Sequence, residues 1–584
     1  MRCSREAAAE GAPARDLLRS RPVGIVPWLA PRDDSADVLE RVLQAVGRAL
    51  PEAGLPRDAV GQPVLAFVAL YREGIWLGRG AAAGATRDEA LAGALHRACS
   101  ASDLAPTTVV VVLPRQLVGL DGKSWERVTA DIHRGILGAG FWREGQPFLV
   151  SPTDCVGRNL PLDRLLEELA EQAGLDVKRL MREGRAFSFL SDQYLVRFDQ
   201  AGAALRLLRG CRLVEPGEVT WDRLLRFERD LSAWMLRSVQ DDGRMTYAYL
   251  PSRTVEGRGN NMVRQFMATV CLGRIAERRL DLPGARAAED AADLNLRYNL
   301  RHFYRQEGEH GLIVNGRNAY LGSAALALIG IIESPRRAEL LQEERGLRAT
   351  IDSLWHSNGA FTTWIRPAAR KDNQNYFPGE ALLAWAFLLE DSTGEARALL
   401  LERILKSYRF YRRWHLARRS PAFVPWHTQA YFRVLRAEPH QELVDWVFEM
   451  NDWTLGMQAC SQQGYEDTLG RFYDPQQPFG PPHASSTGVY LEGLVDAFAL
   501  ARQAGDARRA RAYRKAILLG LRSTIQLQFA DEDSLFFVSD RDRVRGGVKT
   551  TVYNNAIRVD NVQHTLMAVQ KILQTLTPED FPRA

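Results

Sequence analysis

YLGSAALALIGII, residues 320–332, is small or apolar at almost every position. A helix at a protein surface confines its apolar residues to one stripe, so a segment apolar all round belongs inside a fold. GEALLAWAFLL (379–389) reads the same way. RAAEDAADLNLRYNLRHFYRQ (286–306) instead carries charge on one side and leucine on the other, the pattern of an outer helix. Working outward, the spacing predicts outer helices at about 221–239, 284–305, 337–356, 395–415, 440–459 and 507–529. It predicts inner helices at about 261–280, 319–334, 379–390, 427–437, 487–503 and 560–575. The links from inner to outer helix are short, such as ESPRR and RAEPHQ. The links from outer to inner helix are mostly long, at 240–260, 306–318, 357–378, 416–426, 460–486 and 530–559. Six such hairpins predict a closed ring with a plain base and an elaborated mouth, and loops held on a rigid scaffold are where function concentrates.

This arrangement resembles the six-hairpin (α/α)6 toroid superfamily of glycosidases, polysaccharide lyases and sugar epimerases. The resemblance covers residues 220–584 and rests on architecture. It implies an all-α (α/α)6 toroid domain acting on an oligosaccharide or polysaccharide. Related toroids occur in terpene cyclases and lanthionine synthetase-like proteins, and QDDGRMTYAY (240–249) resembles the Gln-x-x-Gly turns of the former. The acidic DxDD pattern of those cyclases is absent. A Cys/Cys-His zinc set is not available either, since only Cys271 and Cys460 fall in this region.

The first two hundred residues have another rhythm. PVLAFVALY (63–71) and TTVVVVLP (107–114) read as buried strands, RDEALAGALHRACSA (87–101) as an amphipathic helix, and AFSFLSDQYLVRF (186–198) as a strand or hairpin. The expected organisation is a disordered tail (1–20), an α/β or α+β domain (21–215) and the toroid (220–584). VLAFVALYREGIWLGRG (64–80), VVVVLPRQLVGL (109–120) and DIHRGILGAGFWREGQPFLVSP (131–152), followed by LDRLLEELAEQAGL (162–175), resemble the AMMECR-type domain. That family's Leu-Arg-Gly-Cys-type motif is replaced here by Leu77, Gly78, Arg79 and Gly80, without the cysteine. The chemistry of the motif is therefore not carried over, and a docking role toward a protein partner is expected.

Composition sets the outer limits. Net charge is +5 in 584 residues, 25% are charged and 46% hydrophobic, an ordinary globular balance. No basic run with interleaved aromatics points to nucleic acid. The six cysteines are scattered, without CxxC or short Cys/His spacing, so neither a structural zinc nor a disulfide framework is expected. No Gly-rich phosphate loop or HExxH appears, so no cofactor and no metal are expected. The N-terminus lacks a signal-peptide core and no apolar run is long enough to span a bilayer, which makes a cytoplasmic protein without membrane insertion the expectation.

The starts of the inner helices carry the candidate chemistry. RGNNMVRQF supplies Asn260, Asn261 and Arg264, and NQNYFPGEALL supplies Tyr376 and Glu380. FVPWHTQAYF supplies Trp426, His427 and Gln429. HASSTGVYLEGL supplies Tyr490 and Glu492, and IRVDNVQHTL supplies Arg558, Asp560, Gln563 and His564. Asp452, near the end of an outer helix, is expected to point toward the same mouth. Glu380, Asp560, Glu492 and Asp452 are the candidate acids and bases of a glycosidase, while a lyase or epimerase would rely on a tyrosine or histidine, Tyr376, Tyr490, His427 or His564; these four and the remaining residues are also the candidate sugar contacts. Arg264 is expected to anchor one of the carboxylates. Each has a structural alternative: Asp560 as an N-cap, Glu380 as a complement to the helix dipole, His427 and His564 as core histidines. Aromatic rings, amides and paired carboxyls together suit a sugar, and Arg541, Arg543, Arg545 and Lys549 in one loop hint at an anionic one. The competing class is a non-catalytic binding or assembly module in a polymer-producing pathway.

Overall fold

The computed structural model describes residues 38, 40–46, 63–102, 104–198, 204–278, 285–459, 465–473 and 484–583. The expected tail (1–20), Cys3 and Cys460 lie outside them. The chain divides into two compact units. One comprises Met1–Arg72, Trp76–Cys155 and Leu160–Leu207, the other Glu73–Ile75, Val156–Asn159 and Leu208–Ala584.

The first unit is built on one sheet. Its strands are β1 (Val64–Arg72), β2 (Ile75–Gly84), β3 (Thr108–Gly119), β4 (Gly138–Arg143), β5 (Gln146–Val150), β6 (Ala186–Arg197) and β7 (Ala204–Leu207). They are ordered β2-β1-β3-β6-β4-β5, with β7 on β6. The pairings of β1 with β3, β3 with β6, β4 with β5 and β6, and β6 with β7 are antiparallel. Antiparallel pairing selects α+β from the two options the alternation left open. The stretch 186–198 forms one long strand rather than a hairpin. Helices α1 (Arg87–Cys99), α2 (Gly122–Val128), α3 (Pro152–Gly157), α4 (Leu162–Gln172) and α5 (Val177–Arg182) accompany the sheet. Thr86 and Glu89 form a capping box that starts α1. Ala90, Leu91, Ala94 and Leu95 of that helix pack on Ala66, Val68, Val109 and Val111. A second core forms where Leu162, Leu165 and Leu166 of α4 meet Phe141 and Val150.

The second unit is a double ring of helices. The outer helices are α6 (Trp221–Arg237), α8 (Ala285–Phe303), α10 (Leu341–Ser353), α12 (Gly394–Ala417), α14 (Gln441–Leu455) and α16 (Ala507–Gln526). The inner helices are α7 (Met262–Arg278), α9 (Leu321–Ile332), α11 (Phe377–Asp391), α13 (Phe423–Ala437), α15 (Ala484–Gln503) and α19 (Val559–Thr575). Each inner helix packs on the next in that order, and α19 packs on α7, so the inner ring closes. Outer helices α8, α10, α12, α14 and α16 each lie against the inner helix before them, and α6 lies against α19. Burial follows the sequence pattern. Residues 321–331 of α9 and 377–389 of α11 are buried all round. The outer helix α8 buries Ala288, Asn295, Leu296, Asn299 and Leu300, a single stripe. The inner helices run parallel, since near their starts Gly379 abuts Trp426, Gly322 abuts Glu380 and Gly488 abuts His564.

The expectation of an all-α region needs correction. Two four-stranded sheets lie in the long links. One joins β10 (Tyr304–Glu307), β11 (His310–Asn315), β12 (Asn318–Tyr320) and β13 (Trp364–Arg366). The other joins β8 (Ala248–Leu250) and β9 (Val255–Glu256) to β14 (Lys549–Thr551) and β15 (Asn554–Arg558). Single-turn helices α17 (Glu532–Leu535) and α18 (Arg541–Val544) precede β14. These strands satisfy backbone groups that a long irregular link would leave unpaired. β8 pairs with β15 through Ile557↔Tyr249 and Arg558↔Ala248, which ties the first long link to the last.

Candidate active site

The starts of α7, α9, α11, α13, α15 and α19 meet at the end of the ring that carries the long links. Three carboxyls there have three different surroundings.

Asp560, in the first turn of α19, is 4% exposed and doubly paired. Arg558 grips it through Nε and a terminal nitrogen, both at 2.6 Å, and Arg264 of α7 adds Nε at 2.9 Å. Arg264 thus anchors a carboxylate, and it also donates to the Tyr247 hydroxyl. At the start of α7, Asn261 Oδ1 accepts from the Arg264 backbone N–H at 3.2 Å. Asn260 is exposed and accepts from Gln265 Nε2 at 2.9 Å. Asn261 therefore caps the helix end, and Asn260 braces the cap by accepting from the Asn261 backbone N–H at 2.9 Å.

Glu380 is 2% exposed, and its Oε2 has no hydrogen-bond partner among the described residues. Burial pushes its carboxyl up to about 8, so it holds its proton at neutral pH. Gly322 of α9 makes the space, because a Cβ there would fall 2.2 Å from Oε2. Tyr320 stacks on Phe377 beside it, at 5.1 Å between centroids. Burial, with Glu380 nearby, pushes the Tyr320 hydroxyl up to about 12.

Glu492 is fully buried and reaches across to α19, its Oε1 lying 2.7 Å from His564 Nδ1. His564 Nε2 has no hydrogen-bond partner among the described residues. Trp426 and the imidazole meet edge to face, at 5.9 Å between centroids. Trp426 and His564 belong to helices that are not neighbours in the ring, so this contact lies inside it. Two turns deeper, Lys571 Nζ donates to Asp496 Oδ2 at 2.6 Å, the Glu492 carbonyl at 3.1 Å and Gln429 Oε1 at 3.2 Å. Burial holds the Asp496 carboxyl above its usual range, against the opposing pull of Lys571. Asp496 and Lys571 were not among the sequence candidates. Their spacing signals them, since Asp496 is four residues after Glu492 and Lys571 seven after His564, each on the same helix face.

Other candidates lie elsewhere. Asp452 does not face the mouth. It bonds Arg509 Nε at 2.9 Å and the Tyr513 hydroxyl at 2.6 Å, and Arg509 stands in the first turn of α16, the end remote from the long links. His427 is fully buried, donates through Nδ1 to the Phe423 carbonyl at 3.0 Å, and stacks on the Phe423 ring at 3.5 Å between centroids. Burial pushes it down to about 3, so it is a neutral core histidine. Tyr490 packs edge-on against Phe472 at 5.5 Å, and with Leu494 it lines a small void beside Val424, Asn451 and Thr454. It stands two residues from Glu492, on the opposite side of α15. Tyr376 is 44% exposed at the start of α11. Gln563 is fully buried, with neither amide atom hydrogen-bonded among the described residues.

The basic loop offers less to an anion than its sequence suggests. Arg541 and Arg545 pair with Glu532, Arg543 pairs with Glu256 at 2.6 Å, and Lys549 Nζ lies against Cys211. No cluster of three or more metal-ligating side chains is found among the described residues, and no helix there is long and apolar enough to cross a membrane.

No protein-family model and no curated protein matches the chain. Among solved structures, it is similar to a D-mannose isomerase at 13% identity and TM-score 0.44, over 61% of this chain and 98% of that one. It is also similar to an unsaturated glucuronyl hydrolase specific for heparin, at 10% identity and TM-score 0.42, over 60% and 97%. A third is the GH76A alpha-1,6-mannanase from Salegentibacter sp., at 9% identity and TM-score 0.42, over 62% and 100%. Likeness at this level leaves the reading of the site to its own geometry.

Proposed function

We propose that the ring is a carbohydrate-active (α/α)6 enzyme domain whose chemistry is proton transfer on a sugar, with His564 as the base. The observation that carries this reading is the buried Glu492–His564 pair. A carboxylate 2.7 Å from Nδ1 keeps a proton on that nitrogen and leaves Nε2 as the acceptor. It also stabilises the imidazolium formed when Nε2 takes a proton. Glu380, which holds its proton at neutral pH, supplies the complementary acid. Trp426 presents a flat apolar ring beside His564, suited to the C–H face of a pyranose. In an epimerase or lyase, His564 Nε2 removes the proton from the carbon beside a sugar carbonyl or carboxyl. Glu380 then protonates the opposite face or the departing oxygen. A glycosidase instead needs two carboxyls free to flank the scissile bond. Asp560 is held by two arginines, which favours the proton-transfer classes over hydrolysis.

A thermal-shift screen with neutral and uronate-containing saccharides tests the reading. A ligand of the folded state raises the melting temperature, and the shift disappears in Trp426→Ala and His564→Gln. No shift with any saccharide at millimolar concentration removes the proposal.

A second reading, a binding or assembly module without turnover, is favoured by one observation. Glu380 and Glu492 are 2% and 0% exposed, as in a polar network that only fixes packing. It predicts saccharide binding with no chemical change. In either case we assign the first unit a docking role toward a protein partner.

A further inference from the structure

Cys211 and Lys549 stand 338 positions apart, yet both belong to the second compact unit, and Lys549 Nζ lies 2.7 Å from Cys211 Sγ. Lys549 is 2% exposed and Cys211 9%. Among the described residues Sγ is the only hydrogen-bond acceptor within reach of this ammonium, which otherwise lies 4.9 Å from the centre of the Phe529 ring. Among the described residues no carboxylate pairs with it. A buried cation is normally matched by an anion, so this pairing of nitrogen with sulfur is unusual. Both ends are rigidly held. Cys211 closes a tight turn on Leu208, with Arg209 and Gly210 at φ 54° and 68°. Lys549 is fixed in β14 opposite Ile557, and its backbone N–H donates to the Leu527 carbonyl. Cys271, by contrast, faces the Gln563 carbonyl, and burial holds its thiol up.

We propose that Cys211 and Lys549 form an oxidant-driven sulfur–nitrogen cross-link, with hydrogen peroxide as the oxidant. A cation beside sulfur is the setting in which thiolates attack peroxides. The sulfur attacks one peroxide oxygen, the S–O bond forms and the O–O bond breaks. The departing hydroxide takes a proton from Nζ and leaves as water. This gives a sulfenic acid beside a neutral amine. The amine lone pair then attacks sulfur, the S–N bond forms and the S–O bond breaks, and a second water leaves with a proton from nitrogen. Sulfur loses two electrons and the peroxide gains them. Sulfenic acids condense with nitrogen in this way when a nitrogen is held against them. The bond would staple the hairpin β14–β15, which leads directly to Arg558 and Asp560 at the start of α19.

The test is peptide mass spectrometry of the folded full-length protein after peroxide, with dimedone present to trap sulfenic acid. The expected result is a cross-linked peptide joining Cys211 to Lys549, released by dithiothreitol, with little dimedone on Cys211. In Lys549→Arg, which keeps the charge, and in Lys549→Gln, the cross-link is lost and dimedone labels Cys211. Cys211 left unmodified in the wild type, labelled by dimedone as heavily as in the variants, or carried on to sulfinic acid without a cross-link overturns the proposal. Because the wild type alone decides, a variant that fails to fold does not rescue it.

Discussion

A carboxyl raised by burial makes stability depend on pH in a fixed direction, and Glu380 is such a group. Its folded value of about 8 lies above the ordinary 4.5. Its protonated form is therefore favoured by folding, and stability is lost as pH rises from about 4.5 through about 8. Glu380→Gln has no proton to lose, so it gains on the wild type over that window, by on the order of 4 kcal/mol at pH 8. Urea unfolding at pH 5 and pH 8 measures this, and an equal difference at both would show that Glu380 is not neutral in the fold. His427 and His415 give the opposite sign. Burial pushes them down to about 3 and about 4, and both stack on Phe423. Their contribution is present above about 6.5 and lost as pH falls toward those values, at about 1.4 kcal/mol per pH unit each. His427→Leu should halve the pH slope that this pair imposes on stability between pH 6 and pH 4.5, and an unchanged slope would contradict the assignment.

At the scale of elements, parallel inner helices approach closely where glycine allows it. A Cβ at Gly322 would meet Glu380 Oε2 at 2.2 Å and the Phe377 ring at 2.5 Å. Gly322→Ala should destabilise by roughly 1–3 kcal/mol. Gly273, inside α7, would meet nothing within 4 Å. Gly273→Ala should instead stabilise by roughly 0.5–1 kcal/mol. The pair of urea titrations separates close packing from helix propensity, and two changes of the same sign would contradict the packing described. The helices themselves were legible because each spans several turns of a repeating pattern. The strands in the links were not, because β8, β9, β12 and β13 are only two or three residues long and alternation cannot show over that distance. The site was legible in part. Helix starts led to Arg264, Asp560, Glu492 and His564. Helical geometry could have separated Tyr490 from Glu492, since residues two apart face opposite sides. It could also have added Asp496 and Lys571. What sequence does not encode simply is depth along the ring axis. Asp452 lies near the end of its helix, yet it meets the first turn of α16 rather than the mouth.

For the whole molecule, ring closure brings residues from distant stretches into one place. α19 packs between α7 and α15, so His564 and Asp560 meet Glu492 and Arg264 only in the completed ring. The β8–β15 pairing holds the first and last long links together at that same end. The proposed acid–base chemistry would take its base from α19, its supporting carboxylate from α15 and its acid from α11, and no single hairpin contains all three. The most direct test is solvent-deuterium incorporation into a panel of neutral and uronate sugars, followed by NMR in D2O with the full-length protein. The proposed role of His564 as base predicts deuterium at a carbon adjacent to the carbonyl or carboxyl of at least one sugar, lost in His564→Gln and strongly reduced in Glu492→Gln. Incorporation that persists in His564→Gln, or none with any sugar that shifts the melting temperature, would contradict it and leave the ring a binding module.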